Sequence, residues 1–220
     1  MINLHHYIEH TLLSPTATTN DILQLCNEAE QHNFYGVCVN SGFVYLAANA
    51  LKSHQAKVIS TIGFPLGSAS TKSKVEEAKQ AVKDGADEID MVLNLGFLKS
   101  SLTKSVREEI SAVKNIIGDR VLKVIIETSA LSPEEIQLAS AIVKAAGADF
   151  VKSSTGFGSR GATVEDITTI KKSVEESLGI KASGGIKTAQ KAVELIKAGA
   201  TRIGTSNGIA LLYDPENHIA

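Results

Sequence analysis

The stretch VKAAGADFVK at residues 143–152 occurs in two further versions, as VKDGADEID at 82–90 and as IKAGATRIG at 196–204. In each version a basic residue is followed closely by a Gly-Ala pair, and then by a short run with Ile or Val at its centre. Lys followed by Gly is typical of a helix C-terminus, and a β-branched run is typical of a strand. We therefore interpret the three versions as one helix-to-strand junction used repeatedly.

Short β-branched runs recur along the whole chain, and amphipathic segments such as SKVEEAKQAVKDG (73–85) and PEEIQLASAIVKAAG (133–147) separate them. This alternation predicts a parallel sheet crossed by helices. The eight runs are YIEHT (7–11), GVCVN (36–40), KVISTIG (57–63), EIDMVLN (88–94), LKVIIET (122–128), FVKSST (150–155), IKASGG (180–185) and RIGTS (202–206). Eight strands favour an α/β fold of the (β/α)8 TIM-barrel type, with residues 1–220 as a single domain. An open doubly wound sheet is the alternative.

The position five residues after each junction glycine is occupied by Asp90, Lys152 and Gly204. If the three strands are equivalent, these residues point the same way, and we expect that direction to be the barrel interior. An acid, an amine and a residue without a side chain then converge on one axis.

Charge and composition exclude several classes of protein. The 22 Lys and Arg against 24 Asp and Glu give a formal net charge of -2, which favours neither nucleic acid nor an anionic membrane. The first residues, MINLHHYIEHTLL, lack the pattern of a secretory signal, and no apolar run approaches the roughly 20 residues that span a bilayer. The two cysteines, Cys26 and Cys38, fit a reducing compartment. We therefore expect a cytoplasmic protein without a nucleic-acid or membrane partner.

Lysines lie in or at the edge of three predicted strands, at Lys123, Lys152 and Lys181. A lysine in a buried strand is costly unless it is paired or neutralised, so three of them aimed at one cavity suggest chemistry. The alternative is that each lies at an exposed strand end with its ammonium in water, and this applies most to Lys123, which opens its strand.

A lysine attacks a carbonyl only as the neutral amine, and the ordinary lysine pKa of about 10.4 leaves little of that form at pH 7. Burial would disfavour the ammonium of Lys152, and a second cation, for which Lys181 is the candidate, would disfavour it further. Asp90 would then balance the remaining charge and pass protons. Its alternative role is a structural ion pair with one of these lysines.

Glycine-rich loops follow the last predicted strands. The run from Gly156 to Gly161 matches GxGxxG, and Glu175 and Glu176 follow at the distance of a ribose-binding acid. A dinucleotide site is disfavoured because this run follows the sixth strand, whereas the dinucleotide fingerprint opens the first βα turn. Backbone amides that bind a small phosphate are the simpler use, and SGG (183–185) and GTSNG (204–208) suit the same purpose. Tight structural turns are the alternative.

Cysteine and histidine chemistry is not indicated. Cys38 lies in a predicted strand, where a small core residue is the usual role. The six histidines lie mainly near the N-terminus without the spacing of metal ligands, and two cysteines without a CxxC argue against zinc.

Four of these motifs together closely resemble the deoxyribose-phosphate aldolase family, a resemblance that runs from YIEHTLL near the start to RIGTSNG near the end. The motifs are EIDMVLNLG (88–96), LKVIIET (122–128), FVKSSTGF (150–157) and IKASGGIKT (180–188). The resemblance implies reversible cleavage of 2-deoxy-D-ribose 5-phosphate into D-glyceraldehyde 3-phosphate and acetaldehyde, in deoxynucleoside catabolism. It implies a reaction without a metal or an organic cofactor. By analogy with the family, it also implies a homodimer or homotetramer.

The resemblance also implies a role for individual residues. Lys152 matches the lysine that forms a Schiff base, and Asp90 and Lys181 match the pair that relays protons through water. The substrate-binding residues that it implies are Lys123, Thr11, Gly156, Gly184, Gly185, Gly204 and Ser206. Three features depart from the family pattern. Glu9 stands where an Asp is common, and Asn207 where many relatives have Ser. Some relatives also use a C-terminal tyrosine in proton transfer, a role that we do not assign here because the sequence ends in PENHIA and its last tyrosine is Tyr213.

Two other functions are compatible with the same residues. One is a different Schiff-base aldolase or transaldolase, acting on another sugar phosphate. The other is a phosphate-binding barrel whose strand lysines only neutralise a ligand or stabilise the fold. Only a deoxyribose-phosphate aldolase requires acetaldehyde as the donor, which separates it from the first alternative. The second alternative, a phosphate-binding barrel, forms no covalent adduct.

Overall fold

The strands close into a barrel. The structure is a computed structural model, and it describes residues 2–213. Within this range each of eight parallel strands pairs with the next along the chain, and the eighth pairs with the first. The strands are β1 Ile8–Leu12, β2 Gly36–Asn40, β3 Lys57–Ile62, β4 Glu88–Val92, β5 Val121–Ile125, β6 Phe150–Lys152, β7 Gly179–Ser183 and β8 Arg202–Thr205. The predicted barrel is therefore confirmed, and the open sheet is wrong.

Helices between the strands form the outer layer. In residues 2–213 they are α1 Thr19–Gln31, α2 Val44–Ala50, α3 Thr71–Lys83, α4 Leu95–Lys99, α5 Thr103–Ile117, α6 Pro133–Ala145, α7 Val164–Val174, α8 Ala189–Lys197 and α9 Gly208–Tyr213. Short 3-10 turns lie at Leu4–Tyr7, Ser41–Phe43 and Thr128–Ala130. Side-chain caps define several starts; before α6, for example, Ser132 and Glu135 form a reciprocal capping box and Pro133 is the first helical residue.

The repeated junction has the structure that its sequence predicts. Helices α3, α6 and α8 end just before Gly85, Gly147 and Gly199, whose φ angles are 105°, 82° and 121°. Glycine adopts these angles at no steric cost, so each helix stops and the chain turns into the next strand.

Residues alternate between two environments along each strand. Ile89 and Met91 of β4 belong to the main apolar core between barrel and helices, whereas Glu88 and Asp90 are buried inside the barrel. The same alternation in β5 packs Leu122 and Val124 outward. The main core is therefore the layer outside the barrel wall, while the interior holds charged residues beside a small apolar cluster of Leu13, Cys38 and Ile59.

Several strands end earlier than the sequence predicts. β6 ends at Lys152 instead of residue 155, and β5 ends at Ile125 instead of residue 128. Beyond these ends the backbone leaves the ladder, since Glu127 has a φ of 52° and residues 128–130 form a 3-10 turn. Thr155, three residues after β6, donates its hydroxyl and its backbone N–H to Glu127 in the loop after β5, so this segment belongs to the mouth of the barrel.

Among residues 2–213, no helix combines the length and apolar character that a membrane crossing requires.

Candidate active site

A pocket of about 450 Å³ opens at the carboxyl ends of the strands. This is the end of a (β/α)8 barrel at which active sites lie. Seven of the ten residues predicted for the site line it, namely Thr11, Lys152, Gly156, Gly184, Gly185, Gly204 and Ser206. The other three, Asp90, Lys123 and Lys181, are buried in the barrel and connect to the pocket through Lys152.

Lys152 is the last residue of β6, and its side chain joins the pocket to the barrel interior. The residue is only 2% exposed, and its Nζ donates a hydrogen bond to Oδ2 of Asp90 at 2.9 Å. The interpretation that its ammonium lies in open water at a strand end is therefore wrong. An amine in this position is buried, hydrogen-bonded and in contact with the ligand pocket.

Asp90 is the carboxylate that joins the three lysines. It accepts hydrogen bonds from Lys123 at 3.0 Å and from Lys181 at 2.6 Å, in addition to that from Lys152. Burial alone would raise the pKa of Asp90, but the positive charges of the three lysines outweigh burial and hold it well below its ordinary value. Asp90 is thus a carboxylate at neutral pH, and its predicted contact with the lysines is present.

Lys123 and Lys181 are fully buried, so the exposed-end interpretation is wrong for them as well. Burial alone would lower the pKa of Lys181, but the nearby charges of Asp90 and Glu9 outweigh it and raise the pKa above its ordinary value. Burial alone would also lower the pKa of Lys123. The negative charges of Asp90, Glu9 and Glu88 outweigh burial, so this pKa is raised as well. Both side chains therefore remain ammonium groups, and Lys181 is the second cation expected beside Lys152.

Gly204 allows Lys181 to reach this position. A Cβ on Gly204 would lie 2.9 Å from Cε of Lys181, which is closer than real Cβ contacts. The acid, the amine and the glycine of the repeated junction therefore do face the barrel interior together, as the repeat predicts.

Glu9, which stands where the family commonly has Asp, contacts three cations. Its Oε2 accepts a hydrogen bond from Nζ of Lys181, and its Oε1 lies 3.4 Å from Nζ of Lys123. Its Oε1 also lies 3.3 Å from Nε of Arg202. Thr11, two residues along the same strand, donates its hydroxyl to the Glu9 carbonyl at 2.9 Å. Glu9 therefore connects the lysines to the opposite end of the barrel.

The glycine-rich loops line the pocket. Gly156, Gly184 and Gly185 have φ angles of 88°, 86° and 70°, which only glycine adopts readily. The loops after β6 and β7 also pack against each other, because a Cβ on Gly161 would overlap the carbonyl of Gly184. Exposed backbone amides of such loops suit a small anion.

The dinucleotide interpretation of the GxGxxG run has no structural basis. Glu175 and Glu176 follow the C-terminal end of α7, at the opposite end of that helix from the loop of Gly156. Glu176 is paired there with Lys171, at 2.7 Å.

Sequence reasoning missed two cations. Lys187 lines the pocket, and among the described lining residues only it and Lys152 carry an amine. Its position directly after the predicted phosphate loop at 183–185 was the available signal. Arg202, two residues before Gly204 in β8, faces the interior by the same alternation that predicts the direction of Gly204.

Cysteine and metal chemistry receive no support from the described residues. Cys38 is fully buried and its Sγ lies 4.0 Å from Oδ2 of Asp90; burial raises the pKa of its thiol, which leaves it a poor nucleophile. Within residues 2–213, no group of three or more His, Cys, Asp and Glu side chains has the arrangement of a metal site.

Comparisons with known proteins agree on one family. Residues 6–213 match the sequence model described as DeoC/LacD family aldolase. A deoxyribose-phosphate aldolase of Coprothermobacter proteolyticus is 51% identical over 94% of this chain and 94% of its own length. A solved aldolase named QR15 superposes with a TM-score of 0.93 at 43% identity, covering 96% of this chain and 95% of that one. The deoxyribose phosphate aldolase of Aeropyrum pernix, described as a unique tetramer, superposes with a TM-score of 0.87 at 33% identity, covering 95% and 89%.

Proposed function

The chain belongs to the DeoC/LacD family of aldolases, and from this premise we propose that it is a deoxyribose-phosphate aldolase. The reaction is the reversible cleavage of 2-deoxy-D-ribose 5-phosphate into D-glyceraldehyde 3-phosphate and acetaldehyde. The observation that carries the proposal is the buried Nζ of Lys152, which lies at the base of the pocket and 2.9 Å from a carboxylate. A strand lysine in this position suits covalent catalysis on an aldehyde.

Lys152 is the proposed nucleophile. Its neutral amine adds to the C1 aldehyde of the open-chain sugar phosphate, and loss of water gives a protonated Schiff base. When the bond between C2 and C3 breaks, its electron pair moves into this iminium ion and leaves an enamine on Lys152. Protonation of the enamine carbon and hydrolysis of the imine then release acetaldehyde and regenerate the amine.

Asp90 and Lys181 are the proposed proton carriers. Bond cleavage requires loss of the proton of the C3 hydroxyl, and the enamine later takes up a proton at carbon. Lys181 is a buried ammonium that donates to Asp90 at 2.6 Å, so a proton can pass between a bound water and this pair. Lys123 shares Asp90 with them, at 3.0 Å, and its proposed role is to hold the carboxylate in position beside the substrate.

The glycine-rich loops are the proposed phosphate site. Gly156, Gly184, Gly185, Gly204 and Ser206 line the pocket, where backbone amides and a hydroxyl can donate to phosphate oxygens. Lys187 adds a positive charge on the same wall, and Thr11 borders the pocket from β1.

Assembly and cellular role are proposed by analogy. The tetrameric relative from Aeropyrum pernix supports a homo-oligomer, with residues 1–220 as one catalytic domain. We expect the enzyme to act in the cytoplasm, in the breakdown of deoxynucleosides. Light scattering coupled to gel filtration measures the number of subunits directly.

Product analysis tests the proposed reaction. Purified enzyme is incubated with 2-deoxy-D-ribose 5-phosphate, and acetaldehyde and D-glyceraldehyde 3-phosphate are quantified by separate coupled assays. The proposal predicts equal amounts of both products, and the reverse reaction with acetaldehyde as donor. Turnover of another sugar phosphate without release of acetaldehyde would instead indicate a different Schiff-base aldolase or a transaldolase.

A further inference from the structure

A row of positive charges crosses three neighbouring strands inside the barrel. Lys152 of β6 is paired in register with Lys181 of β7, and Lys181 is paired with Arg202 of β8. Arg202 opens its strand, so it lies at the end of the barrel opposite the pocket. Its side chain is 15% exposed, and the guanidinium carbon lies 3.4 Å from the ring centroid of Tyr35.

Carboxylates connect this row into one buried cluster. Glu9 bridges Lys181 and Arg202, and Asp90 bridges Lys152 and Lys181. Glu88 pairs with Lys123 at 2.5 Å. The charge cluster thus contains four cations, Lys123, Lys152, Lys181 and Arg202. Its anions are the three carboxylates Glu9, Glu88 and Asp90.

Two titratable groups that contact the carboxylates of this cluster, Tyr35 and Cys38, are neutral. Tyr35 donates its hydroxyl to Glu88, and burial first, then this contact, raises its pKa to about 12. Cys38 is buried beside Asp90, and burial raises the pKa of its thiol. Neither group changes the sum of formal charges at neutral pH.

The sum of charges depends on the form of Lys152. With Lys152 as an ammonium the charge cluster has four positive and three negative charges, whereas with Lys152 as an amine it has three of each. An unbalanced charge in a medium of low dielectric constant is costly. The balanced state is therefore the one in which Lys152 is the nucleophile.

We propose that Arg202 is a positioning residue whose fixed positive charge favours the neutral amine of Lys152. Arg202 lies at the far end of the barrel, where it is paired with Glu9. This inference rests on the proposed function, because it concerns the same nucleophile. Arg202 suits the role because a guanidinium stays charged at any relevant pH. Its stacking on Tyr35 holds it in place without neutralising it.

The form of Lys152 is tested through the pH dependence of its reaction. Wild type, Arg202→Met, Arg202→Lys and Glu9→Gln are each incubated with 2-deoxy-D-ribose 5-phosphate and borohydride, and the rate of adduct formation on Lys152 is followed by peptide mass spectrometry across a pH series. In Arg202→Met the acid limb of this profile moves to higher pH by about one unit, since two strand spacings of roughly 5 Å separate the charges and the effective dielectric constant is about 20. On the acid side the rate is then about tenfold lower than in wild type.

The other variants separate charge from structure. Arg202→Lys retains the charge, so its acid limb stays at the wild-type position even if packing on Tyr35 is weakened. Glu9→Gln removes a negative charge, and its limb moves to lower pH. A limb that stays in place in a folded Arg202→Met variant, or that moves equally in Arg202→Lys, would overturn the inference. If Arg202→Met does not fold, the test rests on Glu9→Gln. An acid limb that stays in place or moves to higher pH in that variant overturns the inference.

The wild-type profile distinguishes this inference from the proposed function. An adduct on Lys152 in wild type with unshifted limbs in the variants contradicts only the role of Arg202. Absence of any adduct from folded wild type contradicts the Schiff-base mechanism, and the inference with it.

Discussion

The Nζ of Lys152 lies 2.9 Å from Oδ2 of Asp90, and the same carboxylate oxygen accepts a hydrogen bond from Lys181 at 2.6 Å. Two amines therefore share one acceptor atom inside the barrel, and only the first of them borders the pocket. This arrangement divides the chemistry between them. Lys152 has access to the substrate, while Lys181 can supply or remove a proton from behind it.

Replacement of the nucleophile abolishes turnover. We expect Lys152→Met to lose at least about a thousandfold in kcat with 2-deoxy-D-ribose 5-phosphate, because no other amine borders the base of the pocket to form the imine. The coupled assay for acetaldehyde measures this loss. Lys104→Met is the control, since that side chain is 82% exposed on α5, and it should retain wild-type kcat. Substantial activity in Lys152→Met would exclude the proposed mechanism.

Loss of the carboxylate at position 90 affects both activity and stability. Asp90→Asn leaves three buried lysines without their shared negative charge, so we expect a loss of unfolding free energy of about 3–5 kcal/mol and a fall in kcat of about a hundredfold or more. Urea unfolding and steady-state kinetics measure the two effects. An Asp90→Asn variant with wild-type stability would mean that the lysines do not depend on this charge.

The same residue makes stability depend on acidity. Because the folded-state pKa of Asp90 lies well below its ordinary value, its contribution to stability is present above about pH 4 and is lost as the pH falls from there toward the folded-state pKa. Unfolding free energies of wild type and Asp90→Asn, measured at a series of acidic pH values, should therefore converge as the pH falls. A constant difference between the two proteins over that range would show that Asp90 does not titrate differently in the two states.

Lys187 should contribute to binding rather than to chemistry. We expect Lys187→Gln to raise KM for 2-deoxy-D-ribose 5-phosphate by about tenfold or more with little change in kcat, because a hydrogen bond between two charged groups contributes roughly 1.5–3 kcal/mol. Lys197→Gln, at the other end of α8, is the matched control. A fall in kcat at unchanged KM would contradict a role in phosphate binding.

Contact between two glycine loops should be essential for the shape of the phosphate site. A methyl group on Gly161 would overlap the carbonyl of Gly184, so Gly161→Ala must separate the loops. We expect a loss of about 1–3 kcal/mol in unfolding free energy and a raised KM. In Gly42→Ala the added methyl group has no neighbour within 4 Å, and both quantities should stay near wild type. Equal effects of the two substitutions would contradict the loop contact.

Local sequence signals predict the fold well because they repeat. The three Lys-Gly junctions mark helix ends and strand starts at equivalent points, so the alternation of inward and outward residues follows by counting from Gly85, Gly147 or Gly199. Counting in this way also identifies the inward direction of Asp90, Lys152 and Gly204. The predicted positions of the strand ends at the mouth were less accurate. Residues such as Glu127 leave the hydrogen-bonded ladder through backbone angles that the local sequence pattern does not indicate.

Pairing across the barrel could not be predicted in the same way. Whether Glu9 reaches Lys181 and Arg202 depends on the stagger between β1, β7 and β8, which no single segment of sequence encodes. The direction in which the pKa of Lys181 is shifted depends on those contacts too, because burial alone would lower this pKa. Arg202 was predictable as an inward residue, but its role depends on a sum over charges from six strands.

Borohydride reduction traps a Schiff base on Lys152 as a stable secondary amine. The enzyme is incubated with 2-deoxy-D-ribose 5-phosphate and borohydride, and the product is analysed by intact mass and peptide mapping. We expect one reduced two-carbon adduct per chain, on Lys152, left by the acetaldehyde fragment. Folded protein that binds the sugar phosphate without any adduct, or that carries the adduct on another lysine, would contradict a Schiff base on Lys152.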